Sequence, residues 1–523
     1  MPKERFCREL VKLILSRKNG KQSLEKLKSS LSRKHGLSYI PRNADIISWA
    51  QCQHISAENR EKLRKALQTK PVRTGSGVSV IAVMTMGRCP GKCIYCPRGK
   101  NSPQSYTGFE PATMRAKRAK YDPVLQVKNR LRQLEVTGHR TEKCELIIMG
   151  GTFPSYPEKK QRAFVKGCLD ALNGGESESL ECAQNANENA PHRCVGMTIE
   201  TRPDYCKKRN IADIMGLGAT RVELGVQAVD DEILRAVCRG HGVAETVAST
   251  GLLKDSGLKV CYHLMPGLTG IFGEIDTRRE KKILDEVFSN PAFRPDMLKI
   301  YPVLLIPGTR LYSMWKAGKF VPMSLEQASE VMVHIKQRIP PWVRIQRMQR
   351  DIPSGRIVAG PILTNLRQHV SGLMQKSGTK CMCIRCREVG HICARPENIR
   401  MVRREYEASE GREIFLSYED RAKGILIGYA RLRIASEPFM ESLKGATIIR
   451  ELHVYGQEVS LGQRDAGGWQ HSGYGRRLVE KAEDISSGMG FGSIAVTSGI
   501  GAREYYRRLG YELKGFHMVK ILE

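Results

Sequence analysis

Short apolar runs alternate with amphipathic stretches through the middle of the chain. Residues 78–84, 144–149, 195–200, 220–226, 258–265 and 297–305 are brief and rich in β-branched and aliphatic side chains, as buried strands are. Between them, 122–137, 157–172 and 244–256 carry the spacing of helices with one apolar face. Six such β/α units predict a parallel sheet curled into a full or partial TIM-like (β/α)6 barrel over residues 74–350. The polar stretch 174–191 predicts a surface insertion between two units. A second alternating region, 411–523, has strand-like runs at 413–418, 424–433, 446–454 and 493–496 and a helix starting near Gly475, which predicts a separate α/β domain. Residues 1–73 are amphipathic and helical, and 351–410 read as a linker.

Charge changes this picture more than composition does. The 523-residue chain has a formal net charge of +31, which points to a polyanionic partner, with nucleic acid foremost. Residues 1–73 hold 18 Lys and Arg against 6 Asp and Glu, a difference of +12. Lys12, Arg17, Lys18 and Lys21 lie beside Leu10, Leu13, Ile14 and Leu15, so this opening module reads as a nucleic-acid grip. No run of about 18 apolar residues is present, and the charged N-terminus lacks a signal-peptide core. The expectation is a cytoplasmic protein without membrane contact. Sixteen cysteines, partly in tight clusters, then suggest metal rather than disulfides.

The chemistry gathers where the predicted strands end, the functional face of a parallel α/β barrel. The first strand runs into Cys89, Cys93 and Cys96, spaced Cys-x3-Cys-x2-Cys. Three thiolates can hold three irons of a 4Fe-4S cluster and leave the fourth iron open, whereas electron carriers use four cysteines; a zinc site is the alternative at such spacing. The second strand ends in Gly150, Gly151 and Thr152, where glycine lets backbone approach a ligand. Later ends supply Glu200, then Glu223 and Gln227, then His263, then Lys299 and Tyr301. A second set, Cys381, Cys383 and Cys386, can give three ligands to a structural zinc, with His369, His391, Cys393 or a distant residue as the fourth.

In the last region Gly473, Tyr474, Gly475 and Arg476 precede a predicted helix, so backbone N–H groups there can meet a pyrophosphate. With Tyr505, Tyr506 and the following Leu509, Gly510 and Tyr511, this resembles the end of a GNAT acetyltransferase domain. The whole pattern resembles the catalytic subunit of Elongator in its compact archaeal or bacterial form. The strings that carry the resemblance include 89–97, 105–111, 149–153, 200–204, 221–227, 239–241, 262–268, 347–353, 450–456 and 470–475.

That resemblance implies a radical S-adenosylmethionine barrel fused to a GNAT domain, forming 5-carboxymethyluridine at the wobble position of tRNA from acetyl-CoA. A 5′-deoxyadenosyl radical would take hydrogen from the acetyl methyl, and the resulting carbon radical would add to C5 of uridine. The products would include 5′-deoxyadenosine, methionine and CoA. Cys89, Cys93 and Cys96 would hold the 4Fe-4S cluster. Gly150, Gly151 and Thr152 would contact S-adenosyl-L-methionine, with Glu200, Glu223 and Gln227 near its ribose or the substrate. Lys143, Glu451, Leu452, His453, Val454, Gly473, Tyr474, Gly475 and Arg476 would contact acetyl-CoA. Tyr506 would lie near the thioester, with Tyr505 beside it, and Lys143, Tyr505 and Tyr506 would be the catalytic residues. The partner would be a tRNA anticodon stem-loop, met by a single chain, a homodimer or an Elongator-like assembly. The competing function is a protein lysine acetyltransferase with a structural iron–sulfur domain.

Overall fold

The computed structural model describes residues 2–16, 23–70, 74, 77–392, 395–455 and 473–523. Four helices open the chain: α1 (Pro2–Ser16), α2 (Leu24–Lys34), α3 (Asn43–Gln51) and α4 (Ala57–Leu67). Phe6, Leu10, Leu31, Ile46, Leu63 and Leu67 form their own small core. This module is tied to the next by Arg64, which donates to the carbonyl of Gly138 at 2.9 Å, and by an Arg140–Glu61 ion pair at 3.0 Å.

The central sheet is parallel, in the order β1 (Ser79–Met84), β2 (Lys143–Met149), β3 (Arg193–Thr201), β4 (Arg221–Gln227), β5 (Lys259–Leu264), β6 (Met297–Ile300) and β7 (Arg344–Arg347). The expected six strands are therefore seven. β7 reads as a basic segment because only Ile345 of its four residues is fully buried. Burial alternates along β2: Cys144, Leu146 and Ile148 pack against helices, while Glu145, Ile147 and Met149 face the inside and stay partly open. That alternation marks a half-barrel whose interior is a cavity rather than a filled core.

The second sheet has the order β13 (Glu512–Lys514), β14 (His517–Ile521), β12 (Ser493–Val496), β11 (Ala446–Val454), β10 (Ile425–Ile434), β9 (Gly411–Asp420) and β8 (Arg400–Ala408). It begins at Arg400, inside the stretch read as linker. β8 is an edge strand on which Arg400, Arg403 and Glu405 are exposed, so its charge hid it. β11 pairs in parallel with β12 only from Ala446 to Ile449, and the register between β10 and β11 shifts by one residue at Arg450. Among the described residues, Leu452, His453 and Val454 thus pair with β10 and have no strand on their other side.

The two sheets are joined by buried charge. Asp296, just before β6, takes two hydrogen bonds from Arg450 (2.8 and 2.6 Å) and lies 3.7 Å from Lys254. Glu413 of β9 pairs with Lys254 (3.4 Å), Arg433 (3.1 Å) and Arg450 (2.8 Å), and Arg433 Nε donates to Asp255 at 2.7 Å. Burial would raise the Asp296 carboxyl, but Arg450, Lys254 and Arg431 outweigh it and hold it well below the usual range. The polar stretch 174–191 is no loose insertion. It contains a helix, Leu180–Asn187, whose following Glu188 pairs with Arg503 (3.1 Å) and Arg507 of the second domain. Gly499 and Gly501 let the second domain touch β3: a Cβ on Gly499 would lie 2.2 Å from the Val195 carbonyl oxygen. Among the described residues no helix is long and apolar enough to cross a membrane.

Candidate active site

β1 ends at Met84, and the chain then crosses the barrel rim as an irregular loop bearing Cys89, Cys93 and Cys96. The loop is pinned by backbone bonds, Ile94 N to Val237 O (3.1 Å) and Leu311 N to Ile94 O (2.9 Å), and by Gln104, which donates to Gly91 O at 2.9 Å. Gly150 and Gly151, at the end of β2, have φ of +122° and +88°. A Cβ on Gly150 would meet Thr85 at 2.5 Å and one on Gly151 would meet Cys89 at 3.3 Å, so only glycine brings this backbone against the thiol loop. Thr152 Oγ1 lies 3.2 Å from Cys89 Sγ.

The residues fit an anionic iron–sulfur cluster. Burial pushes the Cys96 thiol up to about 11, so a thiolate there needs a bound cation to offset its charge. Two guanidinium groups are sunk under the loop: Arg202 and Arg239 are 6% and 5% exposed. Arg239 Nη1 donates to Cys93 Sγ at 3.3 Å and Nη2 to the carbonyl of Gly225. Arg202 is held by Asp204 at 2.9 and 2.8 Å. Arg202 Nη1 and Arg239 Nε lack hydrogen-bond partners. Buried cationic donors left unsatisfied beside three thiols are what a negatively charged group at those thiols would satisfy.

Inside the barrel lies a second charged set. Glu223, fully buried, accepts from Lys299 and from His263 Nε2 (2.9 Å), and Arg221 sits 3.5 Å away. Burial would raise Glu223; Lys299, then His263 and Arg221, hold it well below the usual carboxylate range. Lys299 also lies 3.8 Å from Glu200, whose other oxygen accepts from Tyr106 at 3.0 Å. Gln227 takes φ +73°, a strained value for a side-chain-bearing residue, at the same rim.

A cavity of about 1210 Å³ runs through these groups. Cys96, Tyr106, Glu200, Gln227, His263 and Lys299 line it from the barrel, and Glu451, Leu452, His453 and Tyr455 from β11. His453 is flanked by Tyr455 at 4.3 Å between ring centroids, and its Nε2 is buried without a partner. Burial lowers its pKa, favouring the neutral ring.

The expected acetyl-CoA residues fall into two groups. Gly473, φ +80°, caps the helix Tyr474–Gly488, and Tyr474 packs edge-on against Tyr418 at 4.8 Å with Arg477 over its ring. Arg476 is drawn back to Glu480 at 2.7 Å. Of the tyrosine pair, Tyr506 turns into the core beside Tyr511, while the Tyr505 hydroxyl lies 3.1 Å from where a Cβ on Gly475 would be. Lys143 starts β2, at the far end from Gly150. Its register partner Arg193 abuts Gly501 of the second domain. The string 470–472 falls outside the described residues.

Cys381, Cys383 and Cys386 bring their sulfurs within 4.8 Å of one another. His391 is 3.6 Å from Glu388 and lines the large cavity, His369 lies on the helix Leu366–Lys376, and Cys393 is outside the described residues. Sequence reasoning did not find the roles of Arg202, Arg239 or Tyr106. Arg239 lies 146 positions from Cys93, and no spacing rule links them.

Known families match four consecutive segments: the ELP3 N-terminal domain (3–75), the radical SAM superfamily (83–278), the radical SAM C-terminal domain (295–376) and the GNAT acetyltransferase family (389–511). The chain is 50% identical to a tRNA uridine(34) acetyltransferase of Methanocaldococcus infernus over 99% of its own length and 100% of the relative's. It is 44% identical to Elongator complex protein 3 of Homo sapiens, covering 98% of this chain and 95% of the other. The solved archaeal Methanocaldococcus infernus Elp3 with an N-terminal deletion (1–46) superposes with a TM-score of 0.76 at 49% identity, covering 86% of this chain and 100% of that one. Over nearly its whole length, from the helical opening through the half-barrel to the second sheet, the chain belongs to the family of Elongator complex protein 3 and the archaeal tRNA uridine(34) acetyltransferases.

Proposed function

We propose that this protein forms 5-carboxymethyluridine at the wobble position of tRNA from acetyl-CoA. The observation that carries the reading is the single cavity lined both by Cys96, Glu200 and Lys299 and by Glu451, Leu452 and His453. A route from the thiol loop to the open edge of β11 is what a reaction joining both halves requires. When bound, the iron–sulfur cluster would supply the electron that cleaves S-adenosylmethionine to a 5′-deoxyadenosyl radical. Cys89, Cys93 and Cys96 would hold the cluster, and Arg202 and Arg239 would balance its charge. Gly150, Gly151 and Thr152 would bind the amino-acid end of S-adenosylmethionine. Glu200 and Glu223, fixed by Tyr106, Lys299 and His263, would orient ribose or substrate oxygens in the cavity.

Leu452, His453 and Val454, on the end of β11 that runs beyond its pairing with β12, would contact the pantetheine arm. The N-terminus of the helix Tyr474–Gly488 would receive the pyrophosphate, with Arg476 and Arg477 nearby. Tyr505 faces that end and is the better placed of the two tyrosines for the CoA side; Lys143 would contact the same ligand from β2. Cys381, Cys383 and Cys386 would supply three ligands of a structural zinc, since a tetrahedral ion with Zn–S of about 2.3 Å sets sulfurs roughly 3.8 Å apart.

The test is direct. Anaerobically purified protein is incubated with tRNA, S-adenosylmethionine, acetyl-CoA and reductant, and the digested RNA is examined for 5-carboxymethyluridine. Its appearance only with all four components supports the reading. Acetylated protein substrate and unmodified RNA, with an intact cluster, would replace it by a lysine acetyltransferase.

A further inference from the structure

The turn at 105–110 holds two aromatic side chains in different surroundings, and the reaction above uses only one. Glu110, 5% exposed, accepts from Thr107 N (2.8 Å), Thr107 Oγ1 (2.9 Å), Gly108 N (3.1 Å) and Thr113 Oγ1 (3.0 Å). Four donors on one buried carboxylate make the turn rigid. Arg350, beyond β7, donates to the carbonyl of Ser105 and so ties the turn to the other edge of the half-barrel. Tyr106 points inward to Glu200. Phe109 is 40% exposed and lines the edge of the large cavity.

Leaving a phenyl ring in water forgoes the gain from burying it. Gly108, with φ +94°, sets the direction in which Phe109 leaves, and a Cβ there would strike Lys117 Nζ at 2.4 Å. The Arg356 guanidinium lies 3.7 Å from the ring centroid and Lys117 Nζ 5.9 Å from it. Arg115 and Arg350 line the same cavity. A rigidly mounted, exposed ring among cations at the entrance to a polar cavity suits an unstacked nucleobase. Arg356 stacks over one face of the ring, so a base would take the other, and its flanking phosphates find positive charge.

We propose that Phe109 is the stacking platform for a base of the single-stranded RNA loop, with Arg356 and Lys117 taking the adjoining phosphates, so that the target uridine enters the cavity. This rests on the RNA-modifying reading above. The test uses full-length protein and tRNA carrying 5-iodouridine at the wobble position or at either neighbour. Irradiation links the base to the aromatic ring it stacks on, and mass spectrometry locates the link. The expected result is a crosslink at Phe109 from one of these positions. F109A should lose the crosslink and weaken tRNA binding about tenfold, while F109W keeps binding within about threefold. Wild-type binding without a Phe109 crosslink, or F109A and F109W weakened alike, overturns the platform. Wild-type protein that does not bind tRNA at low salt overturns the RNA reading itself.

Discussion

Two clusters of buried charge in this molecule use the same ingredients differently. Around Asp296, the side chains of Lys254, Glu413, Arg431, Arg433 and Arg450 are sealed between the two sheets, each 0% to 1% exposed. Around Glu223, by contrast, Lys299, His263 and Glu200 all line a cavity. In the sealed cluster every charge must find its counter-ion within the protein, because water cannot reach it. In the cavity cluster the carboxylate is buried but its partners look onto empty space, where a ligand or water can enter. Burial of charge alone therefore does not mark a working site; charge beside volume does.

The largest expected effect tests the sealed side. Asp296→Asn leaves Arg450, Lys254 and Arg431 short of their shared counter-ion and should lower stability by about 3–5 kcal/mol, read from chemical denaturation. Glu223→Gln should cost less stability, because water in the cavity can solvate Lys299 and His263. It should instead cut turnover about 100-fold by letting those groups shift. Equal destabilisation by the two variants would erase the distinction.

A pH series sharpens it further. His517 of β14 is fully buried between Ser442 and the carbonyl of Ser256, across the domain boundary, and burial lowers its pKa to about 4. The unfolded chain takes up this proton near 6.5, the folded chain only near 4. Its contribution is thus complete above pH 6.5 and declines as pH falls toward 4, by roughly 3 kcal/mol. Denaturation curves for wild type and His517→Gln should converge over that window; parallel curves would remove His517 from the account.

The smallest effect lies at the thiol loop. Arg239 places positive charge 3.3 Å from Cys93 Sγ and so would favour the more negative, reduced form of the cluster proposed there. Arg239→Gln should lower the reduced fraction at fixed potential about tenfold, equivalent to about 59 mV for one electron, read by an EPR-monitored redox titration. An unchanged midpoint would make Arg239 a packing residue.

Much of the candidate site was legible along the chain because parallel strands place their ends on one rim. Cys89–Cys96, Gly150–Thr152, Glu200, Glu223, Gln227, His263 and Lys299 could be collected by reading strand ends in order. β7 and β8 were not legible, since their exposed faces carry arginines that mask a short apolar alternation. The sealed cluster was invisible for another reason. Arg450 and Asp296 are 154 positions apart, and Arg433 and Asp255 are 178 apart. Nothing local about an arginine in a strand says that its partner waits on another domain. The helix Leu180–Asn187 was hidden by its polarity, although Leu180 and Ala183 pack inward and Asn187 is fully buried.

The clasp made by Glu188 on Arg503 and Arg507, together with the Asp296 cluster, bears on how this enzyme can be taken apart. A fragment starting near residue 395 would keep Glu413 and Glu451 beside Arg431, Arg433 and Arg450 but leave Asp296, Asp255 and Glu188 behind, so Arg503 and Arg507 would also lose a carboxylate and the three sealed arginines would meet solvent with an excess of positive charge. Such a fragment would be sticky toward nucleic acid for reasons unrelated to the natural substrate. Activity or binding measured on the isolated C-terminal half would therefore describe the wound left by the cut rather than the enzyme.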